Sequence, residues 1–186
     1  MVLLWDFKDD SEIIPVQPPG KDPHSTVPFL PESKTVSDSF QRREMQVLIV
    51  DDNKGDARMV RTLLEATGMP SNITLAGDGE GAIRIMERAS MGQCPAPDLV
   101  ILDINLPGKS GHDVLSSIRA MDRFAKTCVA MCSSSDSDDD KIQARENGAN
   151  AYLLKPMGLE EMEEMVESLR HILISLHEGA IVAKCF

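Results

Sequence analysis

Basic residues are scarce in this chain: 19 Lys and Arg stand against 30 Asp and Glu, a net charge of −11. That balance argues against nucleic-acid binding, which needs a basic patch or stripe. It leaves an acidic surface suited to partners with basic faces. No apolar run has the length needed to span a bilayer. The opening Met1-Val2-Leu3-Leu4-Trp5-Asp6 has no basic segment and no long apolar core, so no secretory signal is expected. The four cysteines have neither metal-site nor disulfide-framework spacing. Cys128 and Cys132, four apart on one expected strand, share a face and read as small buried hydrophobes. Cys185 does not fit the prenylation pattern. No internal repeat is visible. These absences favour a cytoplasmic protein that binds neither nucleic acid nor membrane.

What remains is an ordinary globular composition, 42% apolar and 26% charged, with room in 186 residues for one domain and an appendage. Residues 1–44 form the appendage. Pro15, Pro18, Pro19, Pro23, Pro28 and Pro31 interrupt any helical or strand period, and an extended or disordered arm is expected. A sharper reading has the arm dock through Trp5, Phe7, Ile13 and Ile14, or through Phe29 and Leu30, folding when bound. Residues 45–178 form the domain, and 179–186 a short tail in which no DNA-binding or catalytic output domain is expected.

Within the domain, buried-type strands alternate with amphipathic helices. Strands are expected at about 46–50, 72–76, 98–102, 128–132 and 150–154. The intervening helices carry Ala57, Val60, Leu63 and Leu64; Ala82, Ile83 and Met86; and Val114, Leu115 and Ile118. Gly68 and Gly148 serve as helix stops, and Ser110 as an N-cap. The aspartates between Ser133 and Asp140 read as helix-start chemistry, because negative charge is favourable at that helix end. A calcium loop is the weaker reading, since its glycine and terminal glutamate are missing. The final helix, about 158–177, places Leu159, Met162, Val166, Leu169, Leu173 and Leu176 in one stripe. Met165 and Ile172 widen it; the main reading is a helix facing the core, and the lesser one is that part of this surface also contacts a second subunit.

Five strands alternating with five helices imply a parallel sheet covered on both faces, with right-handed crossovers. The carboxyl ends of its strands share one edge, where ligands bind. Four strands end in polar groups there: Asp51-Asp52, Asp103, Ser133 and Lys155-Pro156. Adjacent acids past a strand end have diverging side chains that jointly reach a metal and its bound water. Mg²⁺ takes oxygen ligands, typically one or two carboxylates plus phosphate oxygens and waters. Asp103 supplies a third carboxylate. Crowded carboxylates favour protonation unless cations offset them; Mg²⁺ and Lys155 would balance the three. A carboxylate can also act as a nucleophile and become an aspartyl phosphate. Mg²⁺, Lys155 and the Ser133 hydroxyl would then spread the charge of the transferred group. Singly, each motif is weak: Asp-Asp can be a helix cap, and Lys-Pro means little. His24, His112, His171 and His177 gain no such support.

The runs VLIVDDNKGDARMVRTLL, PDLVILDINLPGKSGHDVL and GANAYLLKP together resemble the receiver domain of two-component response regulators. The likeness covers roughly residues 46–177, with the acid pair, Asp103, Ser133 and Lys155-Pro156 in matching order. It implies the flavodoxin-like doubly wound fold, five parallel strands in the order 2-1-3-4-5 with five helices. It also implies that Asp103 accepts phosphate from a histidine kinase or histidine phosphotransfer protein. Asp51, Asp52, Asp103 and the main-chain carbonyl of Asn105 would hold Mg²⁺, and Lys155 would contact the phosphoryl group. Ser133 would be the switch hydroxyl, and Tyr152 the aromatic that turns inward on activation. Asn105 and Ser135 would tune phosphate lifetime, and the Lys155–Pro156 bond would be cis. More loosely, Asn53-Lys54-Gly55-Asp56-Ala57-Arg58 is similar to receivers serving phytochrome-type kinases.

The function so implied is a stand-alone phospho-acceptor with no enzymatic activity beyond its own phosphorylation and hydrolysis. It would signal to an unknown downstream protein through the fourth helix, last strand and last helix, with a homodimer through the same face. A phosphorylation-independent binding module is the main alternative. An aspartyl-phosphate phosphatase is weaker, because Asn105 stands where its general acid would be.

Overall fold

The structure, a computed structural model, describes residues 3–4 and 44–177. The Trp5 and Phe29 docking readings and the 179–186 tail lie outside the described residues, as does Cys185.

Most strands of the domain are short apolar runs, and four of the α-helices begin where a short polar side chain satisfies an orphan amide. Strand β1 is Leu3–Leu4, and β2 is Met45–Val50. Helix α1, Lys54–Ala66, starts at Asn53, whose side chain accepts from the Gly55 amide. After β3, Ser71–Ala76, the Asp78 carboxylate caps α2, Gly79–Ser90. Strand β4, Leu99–Asp103, leads to α3, Gly111–Arg119, which opens with a reciprocal Ser110–Asp113 capping box. A single 3₁₀ turn, Asp122–Phe124, precedes β5, Cys128–Ser133. Ser137 caps α4, Asp138–Glu146, with three aspartates in its first turn, as helix-start chemistry requires. Strand β6, Ala151–Leu154, and α5, Leu159–His177, complete the domain. Gly68 and Gly148 follow their helices at φ 72° and 85°, a left-handed conformation that side-chained residues resist.

The parallel strands lie in the order β3-β2-β4-β5-β6, which is 2-1-3-4-5 when they are counted along the chain. A sixth strand was not expected from the sequence: β1 adds to the outer edge of β6, antiparallel, with Leu3 opposite Tyr152 and Leu4 opposite Ala151.

Alternate residues of each strand face opposite layers. Leu48, Val50, Val100, Leu102, Val129 and Met131 pack with α2, α3 and α4. Val47, Ile49, Leu99, Ile101, Ala130 and Leu153 pack with α1 and α5. Every residue of β4 and β5 is buried, so each large side chain there contributes on the order of 1.5–3 kcal/mol of burial energy. Cys128 and Cys132 sit in the second layer, as expected of small hydrophobes.

Two expectations need correction. The apolar seam of α5 runs through Met165, Leu169, Ile172 and Leu173, so the residues read as widening the stripe are its centre. Leu159, placed in the stripe, is 82% exposed. A 3.6-residue period defines a face but not which edge of that face meets the sheet. Nor is the Lys155–Pro156 bond cis: no cis peptide occurs among the described residues. The trans form is the intrinsically favoured one even before proline.

Candidate functional site

The carboxyl ends of β2, β4, β5 and β6 bring the singled-out residues to one rim. Asp51 follows β2, its amide held by the Ala76 carbonyl of β3. Asp103 ends β4 and stands opposite Cys132 in the β4–β5 register, which sets Ser133 one residue further along. Lys155 follows β6, its amide donating to the Ser133 carbonyl at 2.8 Å. The turn after β4 packs tightly against α3: the Gly111 amide donates to the Ile104 carbonyl. A Cβ at Gly111 would run into the carbonyl oxygen of Asp103. Glycine here lets the helix start approach the strand end closely.

The ammonium of Lys155 is the hub. It lies 2.8 Å from Asp51 Oδ2 and 3.0 Å from both Asp103 Oδ2 and Asp56 Oδ2. The Lys155 side chain is only 10% exposed. The other oxygens of the two buried carboxylates accept backbone amides, Asp51 Oδ1 from Asn53 at 2.9 Å and Asp103 Oδ1 from Asn105 at 3.2 Å. Burial raises the Asp51 carboxyl above its ordinary range, against the lowering effect of Lys155 and the Asn53 amide. The Lys155 ammonium is held above its ordinary value even though burial opposes it, because three carboxylates surround it. Directly below, burial pushes the Cys132 thiol up to about 12, so it stays a protonated, inert group.

Asp51, Asp52 and Asp103 each present a carboxylate oxygen within 4.8 Å of the others, the first and last buried and Asp52 exposed. An all-oxygen donor set with an open side matches a hard divalent cation such as Mg²⁺. Asp56 was missed in the sequence. It adds a fourth carboxylate, so Lys155 and a divalent ion would leave one negative charge unbalanced rather than none. A signal for it was present: an acid in the first turn of a helix that begins two residues after the acid pair, and so at the rim.

The hydroxyl of Ser133 is fully buried and accepts from the Ser135 amide at 3.0 Å. Tyr152 is 1% exposed, turned inward, and its hydroxyl donates to the Ser135 carbonyl at 2.9 Å. Ser133, Ser135 and Tyr152 therefore form one hydrogen-bonded chain behind the rim. Asn105 and Ser135 are themselves exposed beside it.

Two of the aspartates weighed as a calcium loop have another partner. Asp136 and Asp138 pair with the buried Lys141 at 2.6 and 3.2 Å. His112 stands apart from the rim, half-buried, its Nδ1 accepting from Asn147 at 3.3 Å. Burial lowers its pKa. His171 and His177 are exposed on α5.

The chain is similar to known proteins. The response regulator receiver domain model matches residues 47–167. The chain is 33% identical over 124 residues to the probable methanogenesis regulatory protein FilR2 of Methanothrix harundinacea, covering 67% of this chain and 80% of that protein. It is 30% identical to the response regulator Rcp1 of Synechocystis sp., covering 66% and 84%. It is also 30% identical to the chemotaxis protein CheY of Pseudomonas aeruginosa, covering 67% and 95%. Among solved structures, the Mn²⁺-bound form of Rcp1 superposes with TM-score 0.62 at 28% identity, over 69% of this chain and 94% of that one. The phosphorylated cyanobacterial phytochrome response regulator RcpA gives 0.62 at 25%, over 72% and 94%. With the strand order and the acidic rim already in place, the match over residues 47–167 settles the classification: this chain belongs to the response regulator receiver family.

Proposed function

We propose that the protein is a phospho-acceptor of two-component signalling, modified on Asp103 and acting through phosphorylation-dependent protein contact. The observation that carries this reading is the convergence of Asp51, Asp56 and Asp103 on the Lys155 ammonium at 2.8–3.0 Å, with Asp52 beside them. A packing scaffold needs no such crowding of charge.

In the reaction, a carboxylate oxygen of Asp103 attacks the phosphorus of a phosphohistidine on a histidine kinase or histidine phosphotransfer protein. The phosphorus–nitrogen bond breaks, and its electron pair returns to the donor imidazole, which takes up a proton. Asp51, Asp52, Asp103 and the main-chain carbonyl of Asn105 would hold Mg²⁺, which when bound neutralises phosphoryl charge. Lys155, already in contact with Asp103, exchanges a carboxylate oxygen for a phosphoryl oxygen. The Ser133 hydroxyl, whose oxygen accepts from the Ser135 amide, would turn its proton toward the new group. Asp103 thereby changes from a charge of −1 to about −2 with added acceptors. Any shift of Ser133 reaches Tyr152 through Ser135. Asn105 and Ser135, exposed at the rim, set access of water to the acyl phosphate and hence its lifetime.

The likeness to Rcp1 and to phosphorylated RcpA supports a phytochrome-type kinase as donor. Output through α4, β6 and α5, in the cytoplasm, is the accompanying reading, with a homodimer through the same face. Exposed Ile142 on α4 and Ile174 on α5 supply apolar contacts there.

The test is labelling with radioactive acetyl phosphate and Mg²⁺. Wild type is expected to take up one acid-stable, base-labile phosphoryl group, Asp103→Asn none, and chelation of the metal should stop uptake. Equal labelling of Asp103→Asn would sink the assignment.

A further inference from the structure

The outer edge of β6 is where the parallel sheet would stop. An unpaired edge presents a row of free amides and carbonyls, a template for a strand from another chain. Here that edge is taken by Leu3–Leu4, which pairs antiparallel to β6 while its neighbours in the sheet are parallel to one another. The Lys155 amide points inward to Ser133 of β5. Backbone groups alternate sides along a strand, so the amide and carbonyl of Tyr152, three residues earlier, face outward, where Leu3 stands opposite.

We propose that Leu3–Leu4 is an intramolecular cap on the edge of β6, occupying the main-chain groups that a partner strand would otherwise take. The occupant is the chain's own segment. Residues 5–44 join it to β2, and forty residues can extend to roughly 130 Å. Strand β6 lies three strand spacings from β2, about 14 Å across the sheet. The connection therefore reaches with ease, and antiparallel addition needs no helical crossover.

The cap meets β6 at an informative residue. Tyr152 pairs with Leu3 through its backbone, and its hydroxyl holds the Ser135 carbonyl beyond Ser133. The cap thus sits on the α4–β6–α5 face and on Tyr152, whose hydroxyl is bonded to the Ser135 carbonyl. Capping and uncapping would decide whether that face offers a bare strand edge or a closed one. This goes beyond the phospho-acceptor reading, and its test uses no phosphate, so one can fail without the other.

The experiment measures amide hydrogen exchange by NMR on the full chain, comparing wild type with Leu3→Pro, which deletes one ladder donor. The Tyr152 amide is expected to exchange about tenfold faster in the variant, with Leu99–Asp103 of β4 unchanged. Tyr152 protection in wild type should also survive tenfold dilution. Unchanged exchange at Tyr152 in Leu3→Pro would overturn the cap. Equal acceleration in β4 would overturn it too, since an edge cap acts on its neighbour. Protection lost on dilution would assign the strand to a second copy and overturn the intramolecular form.

Discussion

The two rims of this sheet each gather around one long cation, and the partners differ in kind. At the amino ends of the strands, Arg119 donates to the carbonyls of Phe124, Thr127 and Gly148 and to Asn150 Oδ1. Asn150 Oδ1 in turn accepts from the Val129 amide, tying β5 and β6 together. These four acceptors are neutral, and the planar guanidinium matches several of them at once. At the carboxyl ends, Lys155 faces three carboxylates with a single compact ammonium. The first rim is matched for permanence. The second has more negative charge than its lysine can balance, which leaves it ready to take a cation or to change partners.

That contrast breaks most visibly by exchanging the two cations for alanine. Lys155→Ala is expected to lower phosphoryl uptake about a hundredfold, the cost of removing a preorganised donor to developing charge. Arg119→Ala should leave uptake within a few-fold of wild type yet lower the unfolding free energy in urea by about 2–4 kcal/mol, because several carbonyls lose a charged donor. If Arg119→Ala abolished labelling while keeping stability, the division of labour between the rims would be wrong.

A smaller effect of opposite sign sharpens the same point. Burial raises the Asp51 carboxyl, so at neutral pH its ionised form costs the folded state free energy. Asp51→Asn keeps an acceptor for the Asn53 amide and removes the charge. Thermal or urea unfolding should show a gain of about 0.5–2 kcal/mol, while the Mg²⁺-dependent rise in melting temperature disappears. A loss of stability would mean that the Lys155 pairing outweighs burial.

The smallest difference lies in pH dependence. Lys155 has a raised value in the fold, so its contribution to stability is fully present below 10.5 and is lost as pH rises through the folded value. Asp51, also raised, acts with the same sign at the acid end: its contribution is present below 3.8 and lost as pH rises through its folded value. Stability measured above pH 10.5 should therefore fall more steeply with pH in wild type than in Lys155→Met. Identical alkaline limbs would show that the rim lysine carries no linked stability.

The legible residues were those whose chemistry is announced by position. Asp51-Asp52, Asp103, Ser133 and Lys155 each follow an apolar strand, and a parallel sheet leaves such residues one edge to occupy. Asp56 did not announce itself, because an acid in the first turn of a helix is as readily a dipole partner as a ligand of Lys155. Arg119 was equally silent: its acceptors are three main-chain carbonyls and the Asn150 amide oxygen, up to 31 residues away, and no local pattern encodes them. The α5 stripe was found, but its centre was misplaced by a fraction of a turn, since Met165 and Leu159 are both apolar and only the neighbouring sheet and α1 choose between them. The Leu3–Leu4 strand was hidden by its length. Two leucines carry no period, and their pairing depends on an edge made by residues 151–154.

From residue order alone came the alternation of strands and helices and the identity of the rim residues, because periodicity and strand-end chemistry are local properties; the family came as a resemblance carried by three sequence runs. Tertiary structure decided how the charges balance, with three carboxylates converging on Lys155 and a fourth beside them. It also chose which side of α5 is buried, and it closed the edge of β6. Those outcomes depend on distances between segments far apart in the chain, and no local pattern sets them.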